Sequence, residues 1–459
     1  MVRKQLGVFA LVMINVIAVD SLRSLPFSAT YGFSLVFYYI LAGLVFFLPV
    51  SLISAELATG WPSKGGVYVW VREAFGELWG FVIIWLQWVY NVVWYPTILA
   101  FMAGALAYLI NPQLAENKFY MLSVILVIFW GATLINCFGM RLSSWVSTIG
   151  ALVGTLVPML FIIILGGMWI FQSHPVQIAF TSRDFFPDLT DVNHLSFLLA
   201  ILFGLVGMEL CATHADEVHN PAKSFPRAII FSAVVIFLSL VLSSLAVAIV
   251  VPQNTLNVVT GLLQAFKIFF DSYHLYWMTP IITLLIVIGG IGGVATWVIG
   301  PTKGLLVATL DGSAPKAFGK VNRHGVPVII LMLQAVISSV LSLVFLLMPS
   351  VSSSYWVLTA ITAQLAMLVY IVLFLAAIRL RYTKPEVHRA YKVGRGNGLM
   401  WVLAILGMLS SAGAILLGFI PPSQIGVGSI FKYEMLLVVG IILLCLPPWI
   451  IYRWAKKGT

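Results

Sequence analysis

Three charged side chains lie within stretches of the chain that are otherwise apolar enough to cross a membrane. Asp20 and Arg23 fall in the first of these stretches, and Glu209 follows Gly204 and Gly207 in a later one. A charge in the middle of a membrane span is costly unless it is paired or hydrated. Glycines let the backbone leave helical geometry, and the amides and carbonyls freed there are tolerated only inside protein or beside water. These residues therefore predict a hydrated site for a small polar ligand.

Both charged stretches are also interrupted. In the stretch that contains Asp20, Pro26 removes a backbone hydrogen-bond donor. In the stretch that contains Glu209, Gly204 and Gly207 permit a departure from helical geometry. Interrupted helices at matching positions of two repeats are typical of transporters, in which free helix N-termini attract a substrate carboxylate and free carbonyls or acids receive an amino group or cation. Alternatively, Asp20 and Arg23 would form a structural pair on an intact helix, because residues three apart face each other. Such a pair beside a hydrated cavity could also be a gate.

The composition is that of an all-α polytopic membrane protein. Of 459 residues, 61% are hydrophobic and 9% are charged, and the mean hydropathy is +1.06. Soluble proteins carry about a quarter charged residues. Cys137, Cys211 and Cys445 lie in apolar stretches without paired spacing, which indicates buried thiols rather than a disulfide or metal framework. We expect no metal and no cofactor.

Twelve stretches reach the roughly 20 residues that a membrane-spanning helix requires. We predict spans at 7–31, 33–57, 78–110, 119–139, 145–171, 193–217, 228–251, 276–304, 326–348, 355–380, 398–420 and 433–454.

The basic residues set the expected orientation of these spans. Most of the 25 lysines and arginines lie on one side of the membrane, and the other side holds Lys118, Arg183, Lys267 and Lys432. Because basic residues accumulate on the cytoplasmic side, we expect both termini in the cytoplasm. The net charge of +10 then reflects topology and does not indicate a nucleic-acid partner.

Two further spans carry groups that could contact a ligand. In the third, Gln87 and Asn91 are one helical turn apart, and the aromatic residues beside them more often serve packing. In the eighth, four glycines at positions 289–293 precede Thr296 and Trp297. These glycines would either let helices approach closely or leave room for a substrate.

A polar cluster ends the sixth span. His214, Asp216, Glu217 and His219 suggest a metal site, but histidines five residues apart on a helix point about 140° away from each other. No HExxH motif is present either. A polar helix end, closed by Asn220–Pro221, is the preferred interpretation.

Four segments give the chain a resemblance to the amino acid–polyamine–organocation superfamily, and within it to the bacterial glutamate/γ-aminobutyrate antiporters. They are YGFSLVFYYILAGLVFFLPVSLISAELAT at 31–59, GGVYVWVREAFGELWGF at 65–81, GMELCATHADEVHNP at 207–221 and TWVIGPTKG at 296–304. The resemblance implies a LeuT-like fold with a five-plus-five inverted repeat, about 7–171 and 193–380, in which helices 1 and 6 are broken. Two extra helices follow at about 398–454. It also implies alternating access to amino acids around the broken helices 1 and 6. We expect the protein to lie in a bacterial inner membrane.

The chain departs from that family at several positions. The first span reads VDSLRSLP where a glycine-rich string is common, so an acid and a base lie near the site. Gly293 stands where the antiporters have an acid, and the fifth span contains no lysine. The coupling of transport to sodium, protons or a counter-substrate therefore stays open.

We expect a single transmembrane domain that exchanges amino acids and is not an enzyme. The alternatives are an amine or polyamine exchanger on the same fold and, less favoured, an intramembrane hydrolase. The expected partners are a small-molecule substrate, the lipid bilayer and a proton or sodium ion. Candidates for gating or coupling are Arg23, Glu209, His214 and Lys303. The expected substrate contacts are Val19, Asp20, Ser21, Arg23, Ser24, Asn91, Gly204, Gly207, Met208, Glu209, Cys211, Thr296 and Trp297.

Overall fold

The computed structural model describes residues 7–62, 65–137, 150, 152–187, 194–210, 218 and 220–457, and the regular elements among them are helices. The first half contains α1 (Val8–Val19), α2 (Leu25–Ala29), α3 (Leu35–Ala42), α4 (Leu48–Gly60), α5 (Val67–Phe75), α6 (Glu77–Ile110), α7 (Lys118–Cys137), α8 (Val157–Phe171), α9 (Ser182–Phe185) and α10 (Leu198–Gly204). The second half contains α11 (Pro221–Val250), α12 (Gly261–Tyr273), α13 (Thr279–Leu310), α14 (Val328–Ser342), α15 (Val344–Leu347), α16 (Val351–Thr383), α17 (Gly398–Gly418), α18 (Ile430–Cys445) and α19 (Pro447–Lys457).

Within the described ranges, 11 helical stretches are long and apolar enough to cross a membrane. They coincide with all the predicted spans except the sixth. At that position the structure has a shorter apolar helical stretch, Leu195–Leu210. Residues 211–217, which complete the predicted sixth span, lie outside the described part of the chain.

The first span consists of two helices separated by extended backbone. α1 ends at Val19, Asp20 and Ser21 are extended, and one 3-10 turn then leads into α2. The interruption was expected at Pro26, but Pro26 lies in the first turn of α2, where a helix does not need its N–H. The break falls at Asp20 and Ser21, whose short polar side chains compete with helical hydrogen bonding.

α6 forms the centre of the bundle. It packs against α13, α16, α7 and α14, and every residue from Gly80 to Ala105 is buried. A helix that is apolar all round is typical of the interior of a large protein. The polar and aromatic side chains of the third span therefore face other helices.

α13 lies almost in backbone contact with the segment that precedes α8. A Cβ atom added at Gly154 would lie 2.1 Å from the backbone nitrogen of Gly289, and one at Gly150 would lie 2.7 Å from the Cα of Gly292. Small residues permit helices to approach this closely. Close packing is thus one role of the glycines in the eighth span.

A buried carboxylate joins the end of α4 to the segment after α16, in what we term the Glu56 cluster (Glu56, Arg381, Arg389 and Val393). Glu56 is 1% exposed and accepts hydrogen bonds from Nε and Nη2 of Arg381 and from the backbone N–H of Val393. Arg389 Nε lies 3.4 Å from the same carboxylate. Arg381 also donates to the carbonyls of Val393, at 2.7 Å, and Gly396, at 2.8 Å. This bidentate geometry is the strong form of an ion pair.

A second, more exposed ion pair joins α5 to the end of α13. Arg72 pairs with Asp311, and the Tyr68 hydroxyl donates to the same carboxylate at 2.9 Å. Burial raises the pKa of Tyr68 to about 12. The pair and its tyrosine fix the orientation of α5 against α13.

Candidate substrate site

A cavity of about 70 Å³ lies where the break in the first span meets α6, α10 and α13. It can hold several water molecules, since one requires roughly 10–15 Å³ of such space. Residues 17–24 form one wall continuously. The other walls come from the helices, through Tyr90, Asn91, Trp94, Ile98, Phe101, Phe203, Gly204, Ile286, Gly289, Gly290, Gly293 and Trp297.

Arg23 is a buried cation on this wall. It is 3% exposed, and its Nη1 donates to the Thr359 hydroxyl at 3.3 Å. Its Nε has no hydrogen-bond partner among the described residues. Within the described ranges, no carboxylate lies within ion-pair distance of the guanidinium. The guanidinium carbon lies 5.6 Å from the ring centroid of Phe203 and 5.8 Å from that of Tyr355, and such cation–π contacts help to hold its plane in place.

Asp20 is a buried acidic residue on the same wall, but its hydrogen-bond partner comes from another helix. The carboxylate is 7% exposed, and the Ser239 hydroxyl of α11 donates to it, with Oγ 3.0 and 2.9 Å from the two carboxylate oxygens. The helix is not intact here, and Asp20 and Arg23 do not form the structural ion pair that their spacing suggested. One shared hydroxyl proton leaves most of the carboxylate's acceptor capacity available to a ligand.

α6 supplies the polar groups opposite the break. Asn91 is 2% exposed and donates to the Gln87 carbonyl at 2.7 Å. The Tyr90 hydroxyl is buried and has no hydrogen-bond partner among the described residues. Trp94 and Trp297 lie beside each other with centroids 6.4 Å apart. Aromatic side chains of α6 thus line the cavity as well as pack.

The sixth span is interrupted beside the first. α10 ends at Gly204, and Gly207 has a φ of +128°, which is readily adopted only by glycine. A Cβ at Gly207 would lie 3.1 Å from the carbonyl oxygen of Ala18. The segment therefore fits closely against the last turn of α1.

Glu209 lies next to this interruption but does not line the cavity. It is 3% exposed, and its carboxylate accepts a hydrogen bond from the Tyr370 hydroxyl at 2.6 Å. The same hydroxyl accepts a bond from the backbone N–H of Gly207 at 3.2 Å. The contacts connect the unwound segment to α16.

The structure brings together eight of the expected substrate contacts around the cavity: Val19, Asp20, Ser21, Arg23, Ser24, Asn91, Gly204 and Trp297. Gly207, Met208 and Glu209 lie beside it without lining it. Cys211, His214 and the side chain of Thr296 lie outside the described part. Lys303 lines a different pocket, together with Asn136 and Val326.

Several contacts at the site could not be read from local sequence. Ser239 is 219 residues from Asp20, and Thr359 is 336 residues from Arg23. Both are ordinary hydroxyl residues within apolar spans. A correct pairing of the helices would have been needed to select them.

No group of three or more histidine, cysteine or acidic residues in the described ranges is arranged to hold a metal ion. The cluster from His214 to His219 lies almost entirely outside those ranges.

Comparisons with known proteins find relatives that cover most of the chain. A family model described as amino acid permease matches residues 4–443. An uncharacterized transporter of Legionella pneumophila is 55% identical over 99% of this chain and 97% of its own length. A glutamate/gamma-aminobutyrate antiporter of Lactococcus lactis is 30% identical over 99% of this chain and 92% of its own. A probable agmatine/putrescine antiporter of the same species is 27% identical over 83% and 80% of the two chains.

Proposed function

Because the chain belongs to the amino acid permease family, we propose that it exchanges amino acids across a membrane, with the cavity at the broken first span as the substrate site. The observation that carries this proposal is Arg23, whose buried guanidinium faces the cavity and has no acidic partner among the described residues. An unpaired buried charge is strongly destabilising. A substrate carboxylate would supply the missing anion.

The ammonium group of the substrate is proposed to bind Asp20. Its carboxylate faces the same cavity and receives only the Ser239 hydroxyl from the described residues. Residues 17–19, the end of α1, also line the cavity, and the last carbonyls of a helix carry partial negative charge. An ammonium group at this position would contact both.

Alternating access is proposed to act through the two interruptions. Gly204 lines the cavity, while Glu209 and Tyr370 connect the following segment to α16. Glu209 thereby becomes a coupling residue rather than a substrate contact. His214, in the predicted sixth span, and Lys303, in the eighth, remain proposed gating or coupling residues.

We infer the finer architecture from the same pattern. Twelve spans would form two inverted repeats, about 7–171 and 193–380, with two further helices at about 398–454. The first and sixth spans lie in close contact, at Gly204 with Ser24 and at Gly207 with the backbone of Ala18, which supports such a pairing. The lysine and arginine distribution supports an inner-membrane protein with both termini in the cytoplasm.

An amine or polyamine exchanger is the second candidate. Asp20 favours it, as does the relative named as a probable agmatine/putrescine antiporter. Arg23 opposes it, because a second cation would enter beside a buried guanidinium.

Exchange in proteoliposomes tests the proposed function. Purified protein is reconstituted, the vesicles are loaded with one amino acid, and uptake of labelled amino acids and their decarboxylated amines is followed. Uptake that depends on the internal amino acid is expected, and its response to an imposed proton or sodium gradient identifies any coupling ion. Failure to exchange any compound of the panel would overturn the proposal.

A further inference from the structure

We infer that the cavity selects substrates that carry one positive and one negative charge, and that it rejects both diamines and acidic amino acids. The inference rests on the proposed function and names its substrate class. It comes from a count of the charged side chains that face the cavity. Of its lining residues, Arg23 and Asp20 are charged, and the rest are uncharged.

The positive charge that faces the cavity is the guanidinium of Arg23. Arg23 lies within cation–π distance of two aromatic rings and donates to one hydroxyl, and its Nε has no partner in the part of the chain that the structure describes. A planar guanidinium binds a carboxylate through two parallel hydrogen bonds. The site therefore accepts one carboxylate, and a substrate without one would leave Arg23 unpaired.

The acidic group that faces the cavity is the carboxylate of Asp20. Ser239 occupies it with a single hydroxyl proton, whereas an ammonium group brings three donors and a full positive charge. A ligand with no cation would leave this acid without a counter-charge when the cavity closes around it. The site therefore also requires one ammonium group.

The remaining wall carries no third charged side chain. It consists of glycines of α13, of apolar and aromatic side chains, and of the uncharged polar side chains of Tyr90, Asn91 and Thr155. A carboxylate or ammonium placed there would lose water without gaining a counter-ion, which is costly. Gly293 leaves room, since the nearest atom to an added Cβ belongs to Trp94 at 3.9 Å. The substrate's third substituent must then be uncharged.

The compounds named for the relatives differ in whether they carry one charge of each sign. γ-Aminobutyrate has one ammonium and one carboxylate and fits the count. Glutamate at neutral pH carries an additional carboxylate, and agmatine and putrescine carry two cations and no carboxylate. We therefore expect this chain to take the net-neutral compounds only.

The test uses wild-type proteoliposomes loaded with a neutral amino acid that supports self-exchange. Labelled alanine, serine, leucine, γ-aminobutyrate, glutamate and putrescine are added outside at pH 7. At least one net-neutral compound should exchange at least tenfold faster than glutamate and putrescine. Equal or faster exchange of glutamate or putrescine would overturn the charge count while leaving the proposed function in place. If no compound exchanges, the proposed function itself fails.

Two substitutions then assign the charges. Arg23→Gln should reduce exchange of the neutral amino acid at least tenfold and raise its preference for a monoamine, such as the matching amino acid amide. Asp20→Asn should do the reverse and favour the matching monocarboxylate. Each variant is compared with wild type by gel filtration and thermal unfolding. If both folded variants keep the wild-type preference, the assignment is wrong; the wild-type panel decides the substrate class even if a variant fails to fold.

Discussion

Arg381 and Arg23 are both buried inside the bundle, yet their surroundings differ. Arg381 has a bidentate acid, Glu56, and donates to two backbone carbonyls as well. Within the described ranges, Arg23 has one hydroxyl acceptor and two aromatic rings nearby, and its Nε is unpartnered. The fold thus surrounds a structural arginine with acceptors at the Glu56 cluster. At Arg23 such acceptors are missing among the described residues, and we propose that a ligand supplies them.

The largest effect is expected from the Glu56 cluster. Glu56→Gln would leave Arg381 and Arg389 buried without their anion, which typically costs about 3–5 kcal/mol. Denaturant unfolding in detergent should show a loss of this size. Glu73→Gln is the matched control, because Glu73 is partly exposed and pairs with Lys384 at 3.8 Å. Equal unfolding free energies for Glu56→Gln and Glu73→Gln would show that the Glu56 cluster is not structural, and Arg381 could then no longer be contrasted with Arg23.

Arg23→Met should separate transport from stability. Replacing an unpaired buried charge with an apolar side chain of similar length is expected to leave stability unchanged or to raise it. Exchange of an amino acid should fall roughly 10- to 100-fold, because a hydrogen-bonded charge contact contributes about 1.5–3 kcal/mol. Arg381→Met should instead destabilise the protein. A large loss of stability in Arg23→Met would show that Arg23 is structural.

Tyr370→Phe should have an intermediate effect. It removes the hydroxyl that donates to Glu209 and accepts from Gly207, at an expected cost of about 1–3 kcal/mol. Since Tyr370 does not line the cavity, we expect the maximal exchange rate to change more than the apparent substrate affinity. A selective loss of affinity would place Tyr370 in the substrate site.

The smallest effect is expected at the partly exposed ion pair. Asp311→Asn removes the charge that faces Arg72, whose side chain is 31% exposed. Exposed pairs contribute about 0–1 kcal/mol, and Tyr68 could still donate to the amide oxygen. The unfolding free energy should therefore change by less than about 1 kcal/mol. A loss comparable to that of Glu56→Gln would mean that exposure does not distinguish the two clusters.

The sequence alone predicted the charges of the site better than their partners. Asp20 and Arg23 stand out because a membrane span rarely contains charge, and the cavity lies beside both. Their spacing suggested an ion pair because it assumed an intact helix, whereas the extended backbone at Asp20 and Ser21 separates them.

Long-range pairing limited the prediction elsewhere. Arg381 is one of many basic residues near span ends, and nothing local connects it to Glu56, 325 residues away. Glu209 was expected in the site because it follows the glycines. The turn at Gly207 instead brings Glu209 to Tyr370 of α16, a contact that depends on how the helices assemble.

The most direct test of the comparison is a cycle that changes both Arg23 and the ligand's carboxylate. Affinities of a transported amino acid and its methyl ester are measured for wild type and for Arg23→Met. Wild type is expected to prefer the free acid at least tenfold, equivalent to about 1.4 kcal/mol, and the variant is expected to have little preference. The same preference for the free acid in both proteins would contradict a contact between Arg23 and the substrate carboxylate.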